Sequence, residues 1–166
     1  MAEKDSDGIV TLTLNRHKGR NSFSRAFLSS LVEATEAFAG DAEVRALILR
    51  STVPKVFCAG ADLKERATMS EDEVEAFVAS LRDGVTNFAK LPFPTIAAIE
   101  GAALGGGMEL ALGADFRVCS KSSLLGLPEC QLAIIPGAGG SQRLPRVVGM
   151  AKAKEMIFLG QRLSGE

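Results

Sequence analysis

Gly101-Ala-Ala-Leu-Gly-Gly-Gly-Met-Glu-Leu-Ala-Leu-Gly-Ala-Asp115 places three consecutive glycines before an apolar run that contains a single acid, Glu109. Glycine is costly inside a helix, so Gly105, Gly106 and Gly107 need a reason. A carboxylate among Leu, Met and Ala needs another. Just upstream, Thr95-Ile-Ala-Ala-Ile99 reads as a strand, and the run from about Gly106 to Leu112 reads as a helix. The stretch is therefore a strand–glycine–helix junction.

Neither common nucleotide motif explains the glycines. A dinucleotide fingerprint starting at Gly105 would need its third glycine at Leu110, and one starting at Gly137 would need it at Gln142. Gly101 and Gly106 have P-loop spacing, but Gly107 stands where the lysine belongs. A different chemistry fits. Bare backbone N–H groups at a helix start suit a negative oxygen, and glycine lets a ligand approach them. A second junction of this kind lies at Gly60-Ala61. Two amides converging on one oxygen would form an oxyanion hole. The same junctions also read as tight turns with close helix packing.

Strand and helix signals alternate through the rest of the chain. Gly8 to Leu14 reads as a strand, followed by the basic turn Asn15 to Asn21. Ser24 caps a helix to about Ala39, with Phe27, Leu28, Leu31, Val32 and Phe38 on one face and Gly40 at its close. Arg45 to Arg50 is a short buried strand, and Phe57 to Asp62 a turn of small residues. Ser70 and Glu73 form a capping box for a helix to about Ala89. Asp115 to Cys119 and Ser123 to Leu127 read as short strands. A glycine turn at Ile134 to Gly140 opens helices near Ser141–Val148 and Ala151–Leu159. This order predicts one α/β domain over residues 1–166, with a loose strand–turn–helix recurrence.

The composition excludes several functions. With 19 basic against 20 acidic residues, nothing favours nucleic acid or a membrane surface. Cys58, Cys119 and Cys130 include no C-x-x-C pair, so neither a disulfide framework nor a zinc site is expected, and no metal. The polar start MAEKDSDG reads as neither a signal nor a transit peptide, and a processed start would hide an address. His17, the only histidine, sits in the basic turn, so no histidine-based triad is expected. Seen singly, Glu109 reads as an acid complementing a helix dipole, and Glu129 as a loop acid.

Taken together, four segments resemble the crotonase family of enoyl-CoA hydratases and isomerases. They are IVTLTLNRHKGRNSFS (Ile9–Ser24), FCAGADLKE (Phe57–Glu65), AAIEGAALGGGMELALGADFRV (Ala97–Val118) and GLPECQLAIIPGAGGSQRLPR (Gly126–Arg146). FCAGADLKER and LPR are most similar to the methylglutaconyl-CoA hydratase branch and its enoyl-CoA hydratase relatives. The resemblance implies a spiral of repeated ββα units. It also implies hydration of a 2-enoyl-CoA, with no cofactor beyond the CoA-linked substrate. The amides of Ala61 and Gly106 match the pair that binds the thioester oxygen. Glu109 matches the base and Glu129 the acid, while the Gly137 amide helps to hold the water. Lys18 and Lys64 match positions near the CoA phosphates, and Ala59 the backbone beside the adenine.

The same resemblance carries further expectations. One is a homo-trimer or hexamer serving fatty-acid or branched-chain amino acid breakdown. The place would be the mitochondrial matrix in a eukaryote and the cytoplasm in a bacterium. Family members continue into a helical C-terminal segment, so a chain ending at Glu166 is expected to be truncated and weakly active. QRLSGE reads as stopping after a helix with no closing element. The alternatives are an isomerase, an inactive scaffold and RNA binding through the first helix. Glu33 and Glu36 beside Arg25 make that helix a poor phosphate stripe.

Overall fold

The structure, a computed structural model, describes residues 1–166. Nine strands form two sheets. The larger contains β1 (Ala2–Lys4), β2 (Ile9–Leu14), β3 (Ala46–Ser51), β5 (Thr95–Ile99) and β7 (Phe116–Cys119), in the order β1-β2-β3-β5-β7. The smaller contains β4 (Val56–Cys58), β6 (Ala102–Leu104), β8 (Leu124–Gly126) and β9 (Arg162–Ser164), in the order β4-β6-β8-β9. Only β1 and β9, each at an edge, run antiparallel to their neighbours. The chain thus alternates between the sheets: β3 then β4, β5 then β6, β7 then β8. Each pair leads into a helix or a 3₁₀ turn. This is the expected ββα spiral.

The helices are α1 (Arg25–Ala39), α2 (Leu63–Arg66), α3 (Glu71–Phe88), α4 (Gly106–Gly113), α5 (Gly140–Val148) and α6 (Met150–Phe158). Ser24 caps α1 by accepting from Phe27 N at 3.1 Å. Ser70 and Glu73 form the anticipated box on α3, each bonding the other's backbone N–H. Gly40 does end α1, but in a right-handed conformation with φ −88°. Its mobility is therefore not what stops the helix.

Five short elements differ from the sequence reading, beginning with β1 at the polar start, where no strand is expected. Phe57 and Cys58 belong to a strand, β4, rather than to the turn that follows it. β6 lies inside the quoted stretch. β4 pairs with β6 through Val56↔Ala102 and Cys58↔Ala103. Asp62 caps a one-turn α2. QRLSGE supplies β9, which pairs Leu125 with Leu163 and extends the small sheet, where no closing element was expected. These pieces span three or four residues, too short for a local periodicity to show; pairing with other strands defines the strands among them, and the Asp62 cap defines α2.

One apolar cluster lies between the large sheet and α1 and α3. It includes Val10, Leu47, Leu49, Phe57, Val85 and Phe88, all 0% exposed. A smaller cluster gathers Met108, Leu112, Leu127, Leu144, Ala153 and Met156 under α5 and α6. α4 joins both, through Leu110 and Ala111 on one side and Met108 and Leu112 on the other. Every residue of α4 is buried. A helix sealed all round must lack a polar face, and that is why Glu109 stands among apolar neighbours.

Candidate active site

The strand ends of the small sheet open onto a cavity of about 940 Å³. Its wall includes Ala59, Ala61, Gly106, Glu109, Glu129 and Gly137, which come from four separated stretches of sequence.

Ala61 follows β4. Gly60 O accepts from Phe23 N at 2.7 Å, which fixes the peptide whose other end is Ala61 N–H. That N–H has no acceptor within the chain. Gly60, at φ +93°, allows the turn, and a Cβ there would stand 2.8 Å from Leu104 O. Gly106 follows β6 and is the first residue of α4. The first N–H groups of a helix have no intrahelical partner, and no side chain caps this one. The two glycine turns lie back to back: Gly60 Cα would be 3.9 Å from a Cβ placed on Gly105. Two uncommitted amides therefore lie on one cavity wall, after adjacent parallel strands.

The three glycines of the opening stretch have three separate reasons. Gly105 adopts φ +54° at the turn. Gly106 presents a bare amide. Gly107 is a packing requirement, because a Cβ there would lie 2.2 Å from Cys58 O. The ligand-access and close-packing readings both apply, to different residues.

Glu109 sits one turn into α4 and is 2% exposed. Its Oε1 accepts from Ala138 N at 2.8 Å and Gly140 N at 2.7 Å. Its Oε2 accepts nothing from the chain. Burial raises its pKa above the usual carboxylate range, while the two N–H bonds and the Arg143 and Arg82 charges pull the other way. Glu129 follows Pro128 in a 3₁₀ turn after β8 and is 8% exposed. Its Oε2 is buried with no hydrogen-bond partner. Burial pushes its pKa up to about 7, with a smaller push from the neighbouring Glu109 charge. The two acids are therefore unequal: two N–H donors from the facing loop favour ionised Glu109, whereas only its own backbone N–H favours ionised Glu129 and its Oε2 has no partner.

Gly137 N–H, like those of Ala61 and Gly106, has no acceptor within the chain. Ala59 is exposed on the wall, and its N–H is taken by Arg20 O at 3.1 Å. Lys18 and Lys64 do not line the cavity; both are exposed, on the turn beside Ala59 and on α2. The wall also contains Arg66, Arg82 and Arg162, which sequence reasoning missed. Arg66 and Arg82 look like ordinary solvated cations on polar helices, and Arg162 lies in the unrecognised β9.

The model of the enoyl-CoA hydratase/isomerase family matches residues 4–166. The chain belongs to that family. Its members include mitochondrial methylglutaconyl-CoA hydratase from Rattus norvegicus, 54% identical over 164 residues, which is 99% of this chain and 52% of that protein. Mitochondrial enoyl-CoA hydratase domain-containing protein 2 from Bos taurus is 54% identical over 160 residues, 96% of this chain and 54% of that protein. The chain spans about half the length of these curated relatives. The crystal structure of an enoyl-CoA hydratase from Bacillus anthracis superimposes with a TM-score of 0.95 at 47% identity, covering 99% of this chain and 64% of that one. The family fold expected from the sequence is thus the fold observed.

Proposed function

We propose that the chain carries the catalytic centre of an enoyl-CoA hydratase. The observation that carries this reading is the meeting of two uncommitted amides and two unequal buried acids in one cavity. The thioester oxygen accepts from Ala61 N–H and Gly106 N–H. Glu109, through its free Oε2, takes a proton from a water that the Gly137 N–H helps to hold. The water oxygen bonds to C3, and the double-bond electrons move toward the thioester oxygen, where the amides stabilise them. Glu129 gives its proton to C2. The acids finish with their protonation exchanged, so a proton must return to Glu129 before the next turnover.

The cavity also supports a substrate class. Arg66 and Arg162 form no ion pair, and Arg82 bonds only through Nε. Unpaired guanidinium groups suit an acyl chain with its own carboxylate, as in the substrate for which the rat relative is named. Lys18 and Lys64 remain candidates for the CoA phosphates from the exposed rim. A homo-trimer or hexamer belongs to the same reading, and exposed Phe116 and Val118 on edge strand β7 favour assembly. The relatives' mitochondrial names support a matrix location if the source is eukaryotic.

The test is Glu129→Gln, with hydration followed by loss of the conjugated enoyl-thioester absorbance. Hydration should vanish while circular dichroism stays unchanged. Turnover that survives the substitution would remove Glu129 as the acid. Comparing an unbranched enoyl-CoA with a carboxylated one tests the substrate class, and equal kcat/KM for both would count against it.

A further inference from the structure

Arg82 projects from α3 onto the loop that holds Glu109. Its Nε donates to Gly137 O at 2.8 Å. The same peptide group ends in Ala138 N–H, which donates to Glu109 Oε1 at 2.8 Å. A guanidinium and a carboxylate thus grip opposite ends of one peptide unit. The next carbonyl, Ala138 O, accepts from Arg143 Nη1 at 2.9 Å, and Arg143 Nη2 reaches back to Thr86 Oγ1 on α3 at 3.3 Å. Val78, one turn before Arg82, supports the loop from below: a Cβ on Gly137 would lie 2.8 Å from its Cγ1.

We propose that Arg82 is a positioning residue for Glu109. By fixing the Gly137–Ala138 peptide, it aims Ala138 N–H at Oε1. This inference rests on the reading of Glu109 as the base. Two physical effects follow. A cation on a peptide carbonyl polarises the group and strengthens its N–H as a donor. Donors aimed at a carboxylate favour its charged form, which burial opposes. The other charges around Glu109 are Glu129 after β8, Arg143 on α5, and Arg66 and Arg162 on the cavity wall. Arg82 differs from the last two in being bonded to the loop. It has no carboxylate partner of its own, although Asp83 adjoins it in sequence. Arg82 is exposed, yet its in-chain Nε is committed to a loop carbonyl at 2.8 Å.

The test uses the 166-residue chain with ¹³C-labelled glutamate side chains. The Glu109 carboxyl signal is assigned by its loss in Glu109→Gln and titrated in wild type, Arg82→Leu and Arg82→Gln. Arg82→Leu removes donor and charge together. It should raise the Glu109 midpoint by roughly half to one pH unit, a threefold to tenfold loss of ionised form on the acid side. Arg82→Gln keeps an amide donor without the charge and should fall between. In hydration kinetics with an enoyl-CoA whose acyl chain carries no carboxylate, so that the guanidinium has no substrate charge to meet, kcat should decline at acid pH, with KM held within about twofold. An unmoved midpoint in Arg82→Leu overturns the proposal. Equal shifts in Leu and Gln overturn it too, since charge alone would then be acting. If Glu109→Gln still hydrates substrate, the base assignment fails, yet the carboxyl titration still scores the Arg82–Glu109 link.

Discussion

Glu129 should make the protein less stable as pH rises, and replacing it should remove that cost. Its ordinary pKa is 4.5, and burial raises it to about 7 in the folded chain. A raised carboxyl binds its proton more tightly when folded. Its contribution is therefore fully present below about 4.5, is lost between 4.5 and 7, and stays level above that. Each pH unit between the two values is worth about 1.4 kcal/mol, so the whole span is about 3 kcal/mol. Roughly 2.5 kcal/mol of this falls between pH 5 and pH 8, or about 7 °C in Tm for a chain of this size. The residue is 8% exposed but borders the cavity, so screening by cavity solvent makes these figures upper bounds. Glu129→Gln cannot ionise and should flatten the profile. The new amide meets the partnerless environment of Oε2 and loses some stability at every pH. The slope, not the level, is the readout. Urea unfolding of both proteins from pH 5 to pH 8, followed by circular dichroism, measures it. Parallel profiles for the two would refute the argument, because the carboxyl would then be solvated in the folded state.

The same environment sets the pH dependence of hydration. With Glu129 required as the acid, activity should fall on the alkaline side with a midpoint near 7, while raised Glu109 places the acid limb above pH 4.5. A profile of kcat/KM reads both as apparent values of the pair. Gly106→Pro removes one oxyanion donor at the helix position that best accepts proline, and kcat/KM should drop about 100- to 1000-fold. Gly107→Ala drives a methyl group into Cys58 O, a backbone atom, and should destabilise the chain by about 3 kcal/mol in urea unfolding without removing a catalytic group.

The long helices and central strands were legible because their signals are local. The Ser70–Glu73 capping box and the alternation of Ile9–Leu14 each fit within one element. The glycine stretch was legible only in part. Its sequence shows that backbone must come close to something, but not that Gly107 meets β4 while Gly106 faces the cavity. The convergence of Glu109, Glu129 and the two amides was not encoded in spacing at all. Family resemblance placed those residues together, since they are joined only by three-residue strands. Arg82 illustrates the remaining gap: an arginine on a polar helix has no sequence mark that distinguishes a loop clamp from a solvated cation.

The small sheet explains why the site forms where it does. β4, β6 and β8 are parallel neighbours, so their C-terminal ends point the same way and lie about 5 Å apart. The chain leaves β4 into Ala61, β6 into Gly106, and β8 into Glu129. Parallel pairing alone therefore sets two amides and one acid side by side, in sheet order. Ligands in open α/β sheets commonly gather outside such strand ends. Glu109 comes from the helix that follows the middle strand, and its carboxylate is anchored by the loop leading to α5. Inserting one residue between Gly101 and Gly105 would slip the middle strand against its partners, turning the Gly106 amide away while leaving every site residue in the sequence. Such a variant should keep its helical circular dichroism and lose hydration, and activity at the wild-type rate would show that strand register does not build the site.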